Sequence, residues 1–184
     1  MQRIPTLTIN TTDGKANALL TGVKAAMGAE LNIFGAMANA PAVLEGYLDF
    51  NKALSGGALA PALREQIALT TAGYNGCNYC ASAHTVLGGH QGLKEDEIAQ
   101  NLTAKSGDAK TQAALDFAYA LIENRGHVTE ADMAAVRKAG YNNAEILEIV
   151  AHVALNTFTN YFNEVVKTEI DFPVVETTPI KKSA

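Results

Sequence analysis

The chain has 184 residues, of which 48% are hydrophobic and 18% charged, with a formal net charge of -5. That length suits one domain, at a rough ~150 residues each, with a real core. The acidic balance argues against a surface for nucleic acid or anionic membrane, which needs a basic patch. The charged fraction is low against about 25% in typical domains, so some apolar surface is expected to be buried between subunits.

No stretch approaches the roughly 20 apolar residues of a membrane span. The opening Met1-Gln2-Arg3-Ile4-Pro5 lacks the apolar core of a secretory leader, so the expected compartment is the cytoplasm. Cys77 and Cys80 are the two cysteines. A disulfide scaffold uses more of them, at wider spacing. Two thiols three apart in a reducing compartment point to redox or metal chemistry.

In chain order, residues 4–10 read as a short extended arm. Residues 15–27 carry Leu19, Leu20, Val23 and Met27 at helical spacing, and Gly28 and Gly35 bracket a turn of helix around Leu31 and Phe34. Pro41 suits a first helical turn, and its helix runs through Leu54 to the stop at Ser55-Gly56-Gly57. Pro61 opens the next, which ends at Gly73 and the Asn75-Gly76 turn. Residues 77–90 form another helix, and Glu95, Asp96 and Glu97 suit the positive end of a short one. Residues 108–124 are amphipathic. Thr129 with Asp132 and Asn142 with Glu145 resemble capping boxes. The last helix, about 144–167, is apolar around most of its circumference, which predicts burial. The tail through Thr177, Lys181 and Lys182 is polar and reads as loose. With no repeat and no linker, residues 1–184 read as a single all-α domain of about eight helices, with a short N-terminal arm and a loose C-terminal tail.

The chemistry concentrates between Glu65 and His84. Cys77 directly follows the Asn75-Gly76 turn. Free amides and the helix dipole there favour a thiolate, and CxxC thiols in such places have pKa values of roughly 3.5–7.5 instead of about 8.5. Cys80 follows one turn later, and His84 one turn beyond that, on the same helical face. An imidazole titrates near neutrality and can accept and return a thiol proton. If the two helices form an antiparallel hairpin, Glu65 folds back to orient His84 and hold its positive charge. Two cysteines and a histidine can also serve as three zinc ligands; neither His90 nor His127 completes a recognised spacing. His152, Asn156, Asn160 and Asn163 on the last helix read as satisfied buried polar groups, or as the lining of a pocket or seam.

Glu65, the twelve-residue interval, Cys77-x-x-Cys80 and His84 resemble the alkyl hydroperoxidase D-like branch of the carboxymuconolactone decarboxylase family. Residues 39–47, 63–69, 148–156 and 160–163 extend the likeness, which covers roughly 14–173. The resemblance implies an all-helical fold and an obligate homo-oligomer, a trimer or hexamer. It also implies thiol-dependent peroxidase or disulfide-reductase activity, with a Glu65–His84 relay activating the thiol. Hydroperoxidase members of the family carry a second His just before the second cysteine; Tyr79 stands there. The decarboxylase members lack the cysteine pair.

The expected activity is therefore reduction of a hydroperoxide by a Cys77/Cys80 dithiol–disulfide cycle. The helix end favours Cys77 as the activated thiol; the shorter spacing to His84 favours Cys80, with Cys77 as its partner. An external thiol or dithiol would reduce the disulfide, and no bound cofactor or metal is needed. The alternatives are a disulfide reductase serving another peroxidase, a zinc-binding or redox-sensing module, and a decarboxylase-like enzyme using Glu65 and His84 alone. The site is expected in a pocket near a subunit boundary.

Overall fold

The computed structural model describes residues 1–178. Among them are nine helices: α1 (Gly14–Met27), α2 (Asn32–Met37), α3 (Pro41–Ser55), α4 (Pro61–Asn75), α5 (Asn78–His90), α6 (Glu95–Asn101), α7 (Ala109–Glu123), α8 (Glu130–Lys138) and α9 (Asn143–Val166). Local chemistry sets most boundaries. Prolines occupy the first positions of α3 and α4, where a missing N–H costs nothing. Both capping boxes form: Thr129 and Asp132 satisfy each other's backbone amides, as do Asn142 and Glu145. Aspartate thus suffices at the third position of α8.

The expectation of about eight helices falls one short because α2, only six residues long, is a helix in its own right. Gly35 does not end it. A side chain there would strike the backbone of Leu7 and the methyl of Thr6. The glycine lets the N-terminal arm lie against α2, with the Leu7 amide donating to the Gly35 carbonyl at 3.0 Å.

The helix buried on every side is α4. Residues 66–73 are buried without a break, and α5, α6, α7 and α9 all pack on it. Ala68, Thr70, Thr71, Ala72 and Gly73 are small enough to admit neighbours all round, and the buried threonine hydroxyls are satisfied by the carbonyls of Asn101 and Ile67. The burial expected for α9 is corrected accordingly. It buries one side, including Ile146, Ile149 and Val153, but Leu147, Phe158, Tyr161 and Val165 are exposed.

Two apolar clusters flank α4. One gathers α1, α2, α3 and the start of α5; the other gathers the first half of α4 with α7, α8 and the first half of α9. Of the tail expected to be loose, the part up to Thr177 is anchored. Phe172 stacks edge-on against Tyr79, the Val175 amide donates to Ser82 Oγ, and Thr177 donates twice to Asn78 Oδ1. Lys181 and Lys182 lie outside the described residues.

Gly73 is the tightest point of the hub: a Cβ there would drive into the Leu102 carbonyl. Gly73→Ala is expected to lower stability by about 1–3 kcal/mol, the usual cost of overpacking, seen as a lower urea midpoint with unchanged slope.

Candidate active site

The site is built on the turn between α4 and α5. Gly76 adopts φ 73°, a left-handed conformation that suits glycine. Its amide and that of Cys77 both return to the Ala72 carbonyl. The chain reverses, and α5 runs back along α4 so closely that Gly88 comes to rest beside Glu65. Glu65 and His84, 19 residues apart, meet with Oε2 2.7 Å from Nδ1. Both are partly buried, their side chains 19% and 21% exposed respectively.

Cys77 is the N-cap of α5, its sulfur accepting the Cys80 amide at 3.3 Å. Cys80 lies one turn on and accepts Asn163 Nδ2 at 3.3 Å. Both are free thiols, 0% and 3% exposed. Their environments push them apart. The hydrogen bond from Cys77 to the Cys80 sulfur, followed by burial, holds the Cys77 proton on. Burial also raises Cys80. The opposing contributions, from the Cys77 and Asn163 hydrogen bonds, the charge of His84, and Asn160, prevail and bring it down to about 7. The proton belongs to Cys77 and the anion to Cys80. Burial works against a charged His84, but the Glu65 carboxylate, by charge and by hydrogen bond, outweighs it and raises the imidazole pKa.

Tyr79 occupies no relay position. Its hydroxyl donates to Asp171 Oδ2 at 2.6 Å, and burial together with that bond pushes its pKa up. His90 ends α5 and His127 lies between α7 and α8; both are exposed, and neither lines the cavities described next. Among the described residues no group of three or more His, Cys, Asp or Glu could hold a metal ion.

Two cavities meet at His84. The larger, about 770 Å³, lies between α1, α3, α4, α5 and α9 and is lined by Glu65, Phe34, Tyr47 and Leu155 among others. The smaller, about 100 Å³, contains Cys80 and Thr159, with Phe172 from the tail on its wall. Met27, Phe34, Tyr47, His84 and Leu87 border both. His152 also lines the larger cavity; burial lowers its pKa. Asn160 and Asn163, read from the sequence as satisfied buried polar groups or as the lining of a pocket or seam, lie beside Cys80, and Asn163 lines the smaller cavity. Their spacing from Asn156, four and seven residues on, places all three on one helical face and was the available signal.

This arrangement of helices is the alkylhydroperoxidase D-like fold. Residues 41–123, from α3 through α7, match the model of the carboxymuconolactone decarboxylase family, in agreement with the resemblance read from the sequence. The chain is similar to an alkylhydroperoxidase AhpD core protein, an uncharacterized peroxidase-related protein from Ralstonia eutropha JMP134 (23% identity, 92% of each chain, TM-score 0.84). It is similar to the debrominase Bmp8 in complex with 2,3,4-tribromopyrrole (18% identity, 93% of each chain, TM-score 0.78). A third likeness is to an uncharacterized peroxidase-related protein from Silicibacter sp. TM1040 (21% identity, 91% of this chain and 93% of that one, TM-score 0.78). No curated protein matches the sequence. No helix among the described residues is long and apolar enough to cross a membrane.

Because the folded state lowers the Cys80 pKa, the anion's contribution to stability is present above the ordinary thiol value of 9.0 and is lost as pH falls through about 7. Alkylation of Cys80 by iodoacetamide should therefore rise with pH to a half-maximum near pH 7. His84→Gln should move that midpoint upward by about one unit, as loss of a nearby positive charge does. Mass spectrometry of the labelled peptide across pH reads both.

Proposed function

We propose that this chain is a thiol-dependent peroxidase in which Cys80 attacks a hydroperoxide and Cys77 resolves the product. The observation that carries the reading is the Glu65–His84 pair, 2.7 Å apart, beside a buried sulfur whose neighbours favour its anion. The Cys80 thiolate attacks the terminal oxygen of R–O–O–H. The O–O bond breaks, Cys80 becomes a sulfenic acid, and the leaving alkoxide takes a proton from His84, whose charge Glu65 holds. The Cys77 thiol then attacks the Cys80 sulfur, releasing water and closing the disulfide. An external thiol or dithiol supplies two electrons and two protons to reopen it.

The burial of both sulfurs favours a small peroxide over a bulky protein disulfide. Contact with a protein surface requires an exposed sulfur, whereas Cys77 and Cys80 are 0% and 3% exposed. The low molecular weight of both partners is part of the proposal. So is assembly as a homo-oligomer, a trimer or hexamer. Leu147, Phe158, Tyr161 and Val165 are exposed along α9, and large apolar side chains left exposed along one helix are candidates for burial against another copy.

In a steady-state assay with cumene hydroperoxide and dithiothreitol, the wild-type protein should turn over. Cys80→Ser should abolish turnover, and Glu65→Gln should lower it about 100-fold, a usual loss for acid–base assistance. A wild-type protein that ignores peroxide yet reduces a small disulfide would replace this reading with the reductase one. Release of bromide from a bromopyrrole in a parallel arm would replace it with a debrominase reading.

Analytical ultracentrifugation at micromolar concentration should show a trimer or hexamer. Leu147→Glu with Phe158→Glu should dissociate it; a wild-type monomer would overturn the assembly.

A further inference from the structure

Helix α9 presents Asn156, Asn160 and Asn163, all buried, along one face. Asn156 acts on His84, raising its pKa, while its Nδ2 donates to the His152 carbonyl. The other two sit by Cys80. Asn163 spends its Nδ2 on the Cys80 sulfur, and its Oδ1 is buried with no partner. The sulfur is thus the polar partner that this side chain has. Asn160 is 0% exposed, and its Oδ1 accepts a hydrogen bond from Asn75 Nδ2 on α4 at 2.9 Å. That bond fixes the orientation of the amide and leaves Nδ2 buried without an acceptor. A buried N–H without a partner is costly, and in native proteins such a group calls for an explanation.

We infer that Asn160 and Asn163 form an amide cradle for an anionic Cys80 sulfur, with Asn75 as the positioning residue that aims Asn160. Asn163 already donates to the sulfur. The free Nδ2 of Asn160 is the second donor, engaged as negative charge builds on the sulfur. Two fixed N–H groups aimed at a site of developing charge stabilise it without reorganisation, as in an oxyanion hole. Asn160 also contributes to lowering the Cys80 pKa. The cradle comes from α9 and so is independent of the Glu65–His84 pair on α4 and α5. Tyr79 adds no donor to it, since its hydroxyl is committed to Asp171. The other titratable groups around the sulfur are Cys77 before α5, His84 on α5, Tyr47 on α3 and Tyr79, with Glu65 on α4 behind His84 and Glu164 on α9 acting on Cys77.

The inference rests on the proposed function only in taking Cys80 as the attacking sulfur. Its test needs no peroxide, so a failed peroxidase assay and a failed cradle are separate results. In a Cys77→Ser background of the full chain, the pH midpoint of Cys80 is read by thiolate absorbance at 240 nm and by the iodoacetamide rate. Asn163→Leu and Asn160→Leu should each raise the midpoint by about one unit, as loss of a hydrogen bond to the charged form does. Asn163→Asp, the same size, should raise it further, because a carboxylate repels the anion. Asn75→Ala, at a half-buried position, should raise it by a smaller amount and lose that effect when combined with Asn160→Leu. Circular dichroism and melting identify any variant that fails to fold; Asn163→Asp and Asn75→Ala then carry the test. A purely structural role would lower the melting temperature and leave the midpoint in place. Midpoints within about 0.2 units of the background in Asn163→Asp and Asn75→Ala would overturn the cradle.

Discussion

A sulfur anion removed from water has to be stabilised by what surrounds it, and that constraint organises the centre of this protein. Cys80 is 3% exposed. Burial alone would keep its proton in place. The compensation comes from three directions: the N-cap thiol of Cys77, the charge of His84, and the amides of Asn163 and Asn160. Each depends on a different piece of the fold. Cys77 depends on the left-handed Gly76 turn, His84 on α5 lying against α4, and the asparagines on the register of α9. Helix α4 links them all, since α5 and α9 both pack on it. Its unbroken burial and small side chains follow from the need to bring those helices close.

Much of this was legible in the sequence because it is local. The Asn75-Gly76 turn, the prolines at 41 and 61, the capping boxes at Thr129 and Asn142 and the cysteine spacing are all short-range signals whose geometry scarcely depends on the rest of the chain. The Glu65–His84 contact required only that two adjacent helices double back. What was hidden depends on distant partners. Asn160 and Asn163 look like ordinary buried polar groups until Cys80, about 80 residues earlier, is placed beside them. Gly35 looks like a helix stop, but its role is to admit Leu7. Helix α9 looked wholly buried because an apolar circumference does not tell which face has neighbours in the same chain.

The tail shows the same limit in reverse. Its composition is polar, yet specific contacts hold it: Phe172 against the Tyr79 ring, and the hydrogen bonds of Val175 and Thr177 to Ser82 and Asn78. These contacts fall on the first turn and a half of α5, the segment that carries Cys80. Tyr79 therefore links the site to the tail. The hydroperoxidase-like members of the resembling family place an imidazole there. In this chain the position is given to a phenol that binds Asp171, which also accepts the Asn32 amide at the start of α2. The phenol and Asp171 form a clasp that joins α5, α2 and the tail.

In the proposed reaction the proton handling falls to His84, since the Tyr79 hydroxyl is committed to Asp171. The imidazole stands on the boundary shared by the two cavities, with the larger space on one side and the Cys80 pocket on the other. A molecule whose body occupies the larger cavity would present its reactive end past His84 to reach the sulfur. The same side chain would then neutralise the leaving group and sustain the charge of the thiolate. Burial acts against a charged imidazole, but Glu65 and the Cys80 anion both raise its pKa and keep it charged opposite the sulfur. The Glu65–His84 pair is the acid that the proposed reaction sets opposite Cys80, and Tyr79, bound to Asp171, leaves it that task.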